Sequence, residues 1–383
     1  MIQVWQAATT VSLLTVAVFG SMKLQRDPVR YGRDMVVQHD CGACHGGGTN
    51  PAAQGWLAGV GDTSEVTMIG PLKTYARNIT PDEATGIGRY TERQLFNALR
   101  FGLRPSETPD VEITSNVPGQ GNFPAQPKYL APSMPWAVWR HMTDEELRAI
   151  AAYLKRGVKP VSNKVPDSDV APDAWASEVT PDKIGPYPMT PYPASQEVAL
   201  TGIPAAAQPK IARGRFIAFS YACVGCHSAK QDPADPNFLA GVTVPQQEFQ
   251  IGPFKTRPRN LTPDNTTGIG RFSERQIFNA LRYGLRPGET PDVEITSTTP
   301  GQGNFPLNPK YLAPPMPWPA WRHLSDEDLY AVAAYLKYAV KPVRNRVADS
   351  EGPPDFWASG YAEEKIGPRP APRFPTRNEV GGK

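Results

Sequence analysis

Four cysteines stand in two copies of one five-residue pattern, CGACH at residues 41–45 and CVGCH at residues 223–227. The chain of 383 residues has no other cysteine. Two thiols three positions apart can form thioether bonds to the vinyl groups of one haem, and the adjacent histidine can then ligate the iron. The pattern therefore predicts two covalently bound haem c groups. The thioether positions are Cys41, Cys44, Cys223 and Cys226, and the iron-ligating histidines are His45 and His227.

Three other uses of these residues fit the sequence less well. A structural zinc ion needs four ligands, whereas each copy supplies three, and His39 has no counterpart in the second copy. A redox-active CxxC pair does not need the histidine and is expected in a βαβ context, which the sequence lacks. Structural disulfides would explain an even number of cysteines in an exported protein, but they would not explain the two histidines.

A second iron ligand is expected from a methionine, because His/Met ligation raises the reduction potential of a cytochrome haem. Of eight methionines, only Met134 and Met316 are separated by the same 182 positions as Cys41 and Cys223. Both lie in proline-rich loops, PSMPW and PPMPW, so we predict that they are the axial ligands. The alternative is that they are ordinary core methionines.

Other residue pairs with this spacing are weaker candidates for contact with haem. The histidines of these pairs are rival iron ligands, although packing or hydrogen bonding at a helix start is the expected role; they are His141 and His323. Two roles are equally compatible with the other pairs, hydrogen bonding to haem propionates or a surface or packing role. These pairs are Trp136 with Trp318 and Arg77 with Arg259. The unpaired His39 is expected to be a surface or packing residue.

The spacing of 182 extends over most of the chain. GPLKTYARNITPD, from residue 70, matches GPFKTRPRNLTPD, from residue 252, and KYLAPSMPW matches KYLAPPMPW. The sequence therefore predicts a tandem duplication of one unit, at about 30–193 and 212–375, giving two similar domains that each have a site and a core.

Each unit is expected to be helical. Capping boxes at Thr91 and Ser273 open segments whose apolar residues recur at helical spacing, and Thr143 opens another. A weaker version of that box begins at Ser325. The 43 prolines and the lack of long alternating apolar runs argue against a strand-rich fold. We therefore predict an all-α fold with long Pro/Gly-rich loops, in which a haem fills the middle of each unit.

The N-terminal residues 4–22 contain no charged side chain and are just long enough to span a bilayer as a helix. We favour an uncleaved membrane helix over a cleaved signal peptide, because no basic residue precedes the apolar stretch. Either alternative places the rest of the chain on the periplasmic side of a bacterial cytoplasmic membrane. The net charge of +3, without a basic block, argues against nucleic-acid binding.

The stretch NITPDEATGIGRYTERQLFNALRFG, followed by MPW and TDEELRAIAAYLK, resembles the cytochrome c subunits of periplasmic, membrane-attached dehydrogenases. Those subunits serve alcohol, gluconate, aldehyde or nicotinate dehydrogenases. The resemblance implies a haem at each CxxCH, with Met134 and Met316 as second ligands. It also implies electron transfer from a catalytic subunit towards quinone or a terminal oxidase. Such subunits usually carry three haem motifs, and this chain has two.

The resemblance turns the duplication into an expected domain plan. Residues 1–23 are a membrane anchor or signal peptide, residues 24–193 and 212–383 are two tandem cytochrome c domains, and residues 194–211 are a linker. The second domain ends in a Pro-rich arm, and a similar arm ends the first. Each arm is expected to clasp the neighbouring unit or a partner subunit, or else to be a structural strap inside the chain.

The predicted function is that of a membrane-anchored dihaem electron carrier, not an enzyme, feeding a respiratory or photosynthetic chain. Its expected partners are a membrane-bound redox complex or dehydrogenase subunit, a downstream oxidase or small cytochrome, and membrane lipid through the N-terminal helix. The alternatives are a dihaem redox enzyme, such as a peroxidase or thiosulfate dehydrogenase, and a non-redox haem sensor or scaffold. GGGTNPAAQGW and SAKQDPADPNF, just after the two motifs, differ, so the two haems are expected to face different neighbours.

Overall fold

The two repeats contain the same elements in the same order. The computed structural model describes residues 26–60, 67–69, 72–167, 172–242, 248–349 and 354–383. The first repeat contains α1 (Pro28–Gln38), α2 (Cys41–His45), β1 (Thr67–Ile69), β2 (Leu72–Thr74), α3 (Glu92–Phe101), α4 (Trp136–Trp139), α5 (Asp144–Ala152) and α6 (Pro181–Ile184). The second contains α7 (Gln208–Ser220), α8 (Cys223–His227), β3 (Phe249–Ile251), β4 (Phe254–Thr256), α9 (Glu274–Tyr283), α10 (Trp318–Trp321), α11 (Asp326–Ala334) and α12 (Glu363–Ile366).

The predicted capping boxes at the starts of α3 and α9 are confirmed. The Thr91 hydroxyl accepts a hydrogen bond from the Gln94 amide at 3.1 Å, and the Gln94 side chain accepts one from the Thr91 amide at 3.0 Å. Ser273 and Gln276 repeat this arrangement. Each box satisfies backbone donors that a helix start would leave without a partner.

The first helix of each repeat crosses the last one at very close range. In the first repeat, a Cβ added at Gly32 of α1 would lie 1.8 Å from the Ala149 carbonyl oxygen of α5. At the equivalent Gly214 of α7, the distance to the Ala331 oxygen of α11 would be 2.0 Å. Only glycine permits this approach. The crossing fixes the C-terminal ends of α1 and α7, which lead directly into the two CxxCH motifs.

The repeats do not have separate cores. One continuous apolar cluster contains residues of both, among them Val36 and Leu147 from the first repeat and Phe219 and Leu329 from the second. The His39 ring, at the end of α1, stacks on the Tyr221 ring, at the end of α7, with centroids 4.0 Å apart. These two residues are 182 positions apart in the sequence, so the stack joins equivalent places in the two repeats.

The last part of the C-terminal segment of each repeat packs on the other repeat. We name residues 185–202 the first arm and residues 367–383 the second arm. Glu379 of the second arm is fully buried and pairs with Arg33 of α1 at 2.7 Å. Glu197 of the first arm is equally buried and pairs with Arg215 of α7 at 2.7 Å. The arms predicted from the sequence contact both repeats, because Pro372 accepts a hydrogen bond from Arg33 of the other repeat, whereas Arg369 donates one to Arg322 of its own.

Each arm carboxylate has further partners inside the repeat that it enters. The Tyr153 hydroxyl donates to Glu379 at 2.7 Å, and the Tyr335 hydroxyl donates to Glu197 at 2.6 Å. Residues 194–202, all of which lie within the predicted linker, thus belong to the first arm, and Glu197 is buried against the second repeat. The exchange of arms interlocks the two halves of the chain.

The predicted fold class is therefore wrong in two respects. The fold is not all-α, because β1 pairs with β2 and β3 with β4 in two antiparallel hairpins, and 36% of the residues are helical. Strands of three residues are too short for alternation to reveal them. The two tandem, separate domains are replaced by interlocked repeats with one core, because apolar residues of each repeat also face the other.

The predicted membrane helix, and the signal peptide that was its alternative, lie outside the described residues. Within the part of the chain that the structure describes, no helix combines the length and the apolar character that crossing a bilayer requires.

Candidate haem sites

The two CxxCH motifs form one-turn helices, α2 and α8, that begin at a residue with left-handed backbone. Asp40 has φ 57° and Ala222 has φ 67°, and this conformation turns the chain sharply at the end of α1 and of α7. In each motif the cysteines three positions apart share one face of the helical turn. The first cysteine of each pair is the less exposed one, and Cys44 and Cys226 are exposed.

The histidine of each motif is buried and held by a backbone carbonyl. The distance from His45 Nδ1 to the Arg77 oxygen is 2.6 Å, and the distance from His227 Nδ1 to the Arg259 oxygen is also 2.6 Å. A carbonyl oxygen only accepts, so Nδ1 must carry the proton. The lone pair that can bind a metal is then on Nε2, as in most metal-ligating histidines.

Burial also sets the charge of these imidazoles. It lowers the pKa of His227 to about 4 and shifts the pKa of His45 in the same direction. Both rings are therefore neutral at pH 7, which is the form that ligates iron. The proton position and the charge of His45 and His227 fit haem ligation.

A polar network positions the Arg77 carbonyl. It lies around the loop that contains Thr80, Pro81 and Asp82, which we name the TPD loop. The Asn78 side chain donates to the Val161 oxygen at 2.7 Å and accepts from the Thr80 amide at 2.9 Å. The Asn163 side chain donates to the oxygen of Ala58, in the loop that follows the CxxCH helix, at 2.9 Å. The network joins the segment after α5 to the loop that carries the histidine's partner.

The second repeat contains the same network, which the sequence reasoning missed. Asn260 donates to the Val343 oxygen at 2.8 Å, and Asn345 donates to the Ala240 oxygen at 2.9 Å. Both asparagines lie 182 positions beyond their counterparts, Asn78 and Asn163. The internal spacing that selected Met134 and Met316 would also have selected these residues.

The two methionine loops have nearly identical backbones. The Met134 amide donates to the Ala131 oxygen at 2.9 Å, and the Trp136 amide donates to the Met134 oxygen at 2.8 Å. Met316 repeats both bonds, with Ala313 and Trp318, at the same distances. Both methionines are half-buried against the shared apolar cluster, which Cys41 also contacts. Axial ligation by Met134 and Met316 stays a prediction.

A tryptophan fixes each methionine loop. Trp136 is buried, and its ring stacks on Tyr129 with an interplanar angle of 8°. Gly102 ends α3 with φ +70°, and a Cβ there would lie 2.1 Å from the Trp136 indole. Trp318 stacks on Tyr311 and covers Gly284 in the same way. The tryptophans therefore pack the loops against the ends of α3 and α9.

The remaining histidines lie where the repeats meet. The His141 ring is 5.7 Å from the rings of Phe219 and Tyr187, and His323 lies beside the second arm. Burial lowers the pKa of both, and of His39, to about 3. His39 is a packing residue, as one of its two expected roles states.

The arginine side chains suggested for propionates are directed to carboxylates instead. Arg77 pairs with Asp167 at 2.6 Å, and Arg259 pairs with Asp349 at 2.6 Å. It is the backbone carbonyls of these two arginines that contact the candidate haem-ligating histidines.

The cysteine surroundings do not resemble those of a reactive dithiol. Burial raises the pKa of the Cys41 and Cys223 thiols to about 12, whereas a catalytic disulfide requires a lowered thiol pKa. Among the described residues, no group of three or more His, Cys, Asp and Glu side chains is arranged to hold a metal ion by itself.

Comparisons with known proteins support the predicted resemblance. Residues 29–157 match the cytochrome c family. The chain is 27% identical to the gluconate 2-dehydrogenase cytochrome c subunit of Pantoea cypripedii over 81% of its own length and 59% of the relative's. It is 28% identical to the alcohol dehydrogenase (quinone) cytochrome c subunit of Gluconobacter oxydans (strain 621H), over 88% of this chain and 60% of that one.

A shorter match links the chain to the fructose dehydrogenase cytochrome subunit of Gluconobacter japonicus, at 31% identity over 41% of this chain and 24% of the relative. The chain thus spans three fifths or less of the length of these relatives. All three relatives are named as cytochrome subunits, which agrees with the prediction of an electron-transfer subunit rather than a catalytic one.

Proposed function

We propose that this chain is a dihaem c-type electron carrier that relays electrons from a dehydrogenase to a downstream acceptor. The observation that carries the proposal is the repeated histidine geometry. In both repeats a CxxCH histidine is buried, neutral and bonded through Nδ1 to a carbonyl 32 residues away, at 2.6 Å. Two equal sites in one interlocked body are what a two-step relay requires.

Haem, when bound, would supply one-electron transfer. The residues of this chain would hold and tune it. Cys41, Cys44, Cys223 and Cys226 would form the thioethers, while His45 and His227 would ligate through Nε2. Met134 and Met316 would complete the ligand sets and raise both potentials. The shared core and the arms would keep the two sites at a fixed separation.

The expected setting is the periplasmic side of a bacterial cytoplasmic membrane. The names of the relatives support a dehydrogenase as the electron donor. The acceptor would be an oxidase or a small cytochrome of a respiratory or photosynthetic chain. Purification of the native protein from mild-detergent membranes, followed by identification of co-purifying subunits, tests these partners.

Removal of one cysteine pair at a time tests the dihaem assignment. The wild-type chain should carry two haems, and Cys41→Ala/Cys44→Ala and Cys223→Ala/Cys226→Ala should each carry one, as measured by intact mass and haem absorbance. A wild-type protein with a single haem would refute the assignment. If the reduced protein bound carbon monoxide rapidly and fully at one haem, the redox-enzyme alternative would replace the carrier.

A further inference from the structure

Three arginines meet in the second repeat, where α9, the end of α10 and the second arm come together. Arg282 belongs to α9, Arg322 follows α10, and Arg369 belongs to the arm. They line a cavity of about 200 Å³ whose other walls are His323, Leu324 and Pro370. His323 is neutral at pH 7, because burial lowers its pKa to about 3. All the charged groups lining this cavity are therefore cations.

Two of these cations are deeply buried. Arg282 is 3% exposed and Arg322 is 9% exposed. Arg282 forms an ion pair with Asp326, but the Asp326 side chain is itself 68% exposed. Arg322 donates to the carbonyls of Ile366 at 3.0 Å and Gly367 at 2.5 Å. Both bonds come from Nη2, and the carbonyls that accept them do not neutralise the guanidinium charge.

The third cation adds to this excess of positive charge. Arg369 donates through Nε to the Arg322 oxygen at 2.7 Å. In the described part of the chain, neither Arg322 nor Arg369 forms an ion pair with a carboxylate. Burial, and next repulsion from Arg369, lower the pKa of Arg322 to about 10, while Glu363 opposes this shift.

The first repeat also has two buried arginines at the equivalent place, but a different residue packs against them. Tyr187 takes the place that Arg369 has in the second repeat, 182 positions later. The guanidinium carbons of Arg140 and Arg100 lie 5.4 Å and 6.0 Å from the Tyr187 ring centroid. The Tyr187 hydroxyl also accepts a hydrogen bond from Arg100 at 3.1 Å. The first repeat therefore covers two buried arginines with a neutral ring, and the second adds a charge.

We propose that the cavity of the second repeat binds a small oxyanion of the phosphate type, held by Arg282, Arg322 and Arg369. Guanidinium groups present paired donors that match the oxygens of such an anion. A neighbouring cavity of about 310 Å³ shares Arg282 and Arg369, but Glu294 and Asp326 also line it. The anion therefore belongs on the side without carboxylates, and the larger cavity has room for an organic group attached to it.

Calorimetric titration of the purified full-length haem protein with inorganic phosphate tests the proposal, with ionic strength held constant by chloride. The wild type should bind one phosphate per chain. Arg369→Tyr, which installs the residue of the first repeat, should weaken binding by roughly tenfold or more, because it removes charge-assisted hydrogen bonds. Arg369→Gln should weaken binding similarly.

Arg93→Gln is the matched control, since it removes the same charge from an exposed site on the first repeat. It should leave phosphate affinity unchanged. Absence of phosphate binding by the wild type would overturn the proposal. An equal loss of affinity in Arg93→Gln and Arg369→Gln would also overturn it, because net charge and not the cavity would then attract the anion. Thermal unfolding and the haem spectrum of each variant establish that it is folded.

Discussion

The two repeats of this chain are nearly the same at the candidate haem sites and differ where the repeats meet each other or solvent. The His45 and His227 hydrogen bonds have the same length, and the Met134 and Met316 loops have the same backbone bonds. By contrast, equivalent positions at the interface hold His39 and Tyr221. The hydrogen-bond geometry of the candidate sites is therefore duplicated, whereas the surroundings of each site differ.

Substitution of the methionines tests the equality of the sites most strongly. Met134→Leu should lower the potential of one haem, and Met316→Leu that of the other, each by on the order of 0.2 V within the roughly 0.8 V range that axial ligands span. Leucine keeps the packing volume and removes the ligating sulfur. Spectroelectrochemical titration resolves the two haems.

Met142→Leu is the control for these variants. Met142 is a buried core residue whose counterpart in the second repeat is already Leu324. Both potentials should remain at their wild-type values in this variant. Unchanged potentials in Met134→Leu or Met316→Leu would remove that methionine from the ligand set.

The exchanged arms should have large and equal energetic effects. Glu379→Gln leaves Arg33 buried without a counter-charge, and Glu197→Gln does the same to Arg215. Each variant should lose about 3–5 kcal/mol of unfolding free energy, the usual cost of breaking a buried pair. Chemical denaturation at pH 7 measures it.

An exposed ion pair provides the reference value for the stability losses expected in the two arm variants. Glu178 pairs with Lys183 at 3.1 Å with both side chains nearly half exposed, so Glu178→Gln should cost under about 1 kcal/mol. Losses as small as this in Glu379→Gln would show that the arm is not held by its carboxylate. Unequal losses in the two arm variants would show that the exchange is asymmetric.

Local sequence signals supplied the candidate site residues, whereas the architecture predicted from them was wrong. Cys41, Cys44 and His45 are neighbours in the chain, and the constant spacing then selects Met134 as a candidate ligand, so the candidate site could be proposed without a fold. The Arg33–Glu379 pair joins residues 346 positions apart, and no local pattern signals such a contact. The shared core could not be predicted for a similar reason, because the sequence around an apolar residue does not indicate which repeat that residue will face.

The repeats also differ in the capping boxes at the starts of α5 and α11, and the expected effect on the unfolding free energy is smaller. Glu146 completes its box by accepting from the Thr143 amide at 2.8 Å, whereas Asp328 binds Arg213 at 2.7 Å and leaves the Ser325 box incomplete. Thr143→Ala should therefore cost about 1–2 kcal/mol and Ser325→Ala about 0.5–1 kcal/mol. Thermal unfolding measures both losses.

The boxes of α3 and α9 supply the matched pair for this prediction. Both are complete, so Thr91→Ala and Ser273→Ala should cost equal amounts. A Ser325→Ala loss as large as that of Thr143→Ala would show that the second half of the box adds nothing. The difference between repeats would then be confined to the contacts of Asp328.

The smallest effect is expected from the aspartates of the two TPD loops. The hydrogen bond from the Thr85 hydroxyl, together with backbone bonds, lowers the pKa of Asp82 below 3.8, and the Thr267 amide and hydroxyl lower that of Asp264. A carboxyl whose pKa is lower in the folded state than in the unfolded state stabilises the fold at pH values above its unfolded-state pKa. This stabilisation is lost as the pH falls through the folded-state pKa.

Asp82→Asn and Asp264→Asn should each make stability slightly less dependent on pH below about 3.8, as measured by urea midpoints from pH 5 to pH 2.5. Both aspartates are partly exposed, so solvent screens them and the change is small. Thr85 also accepts from Asn78 at 3.0 Å, which links Asp82 to the network behind the His45 hydrogen bond. If wild-type and variant midpoints follow the same pH curve, the aspartates do not hold these loops in either repeat.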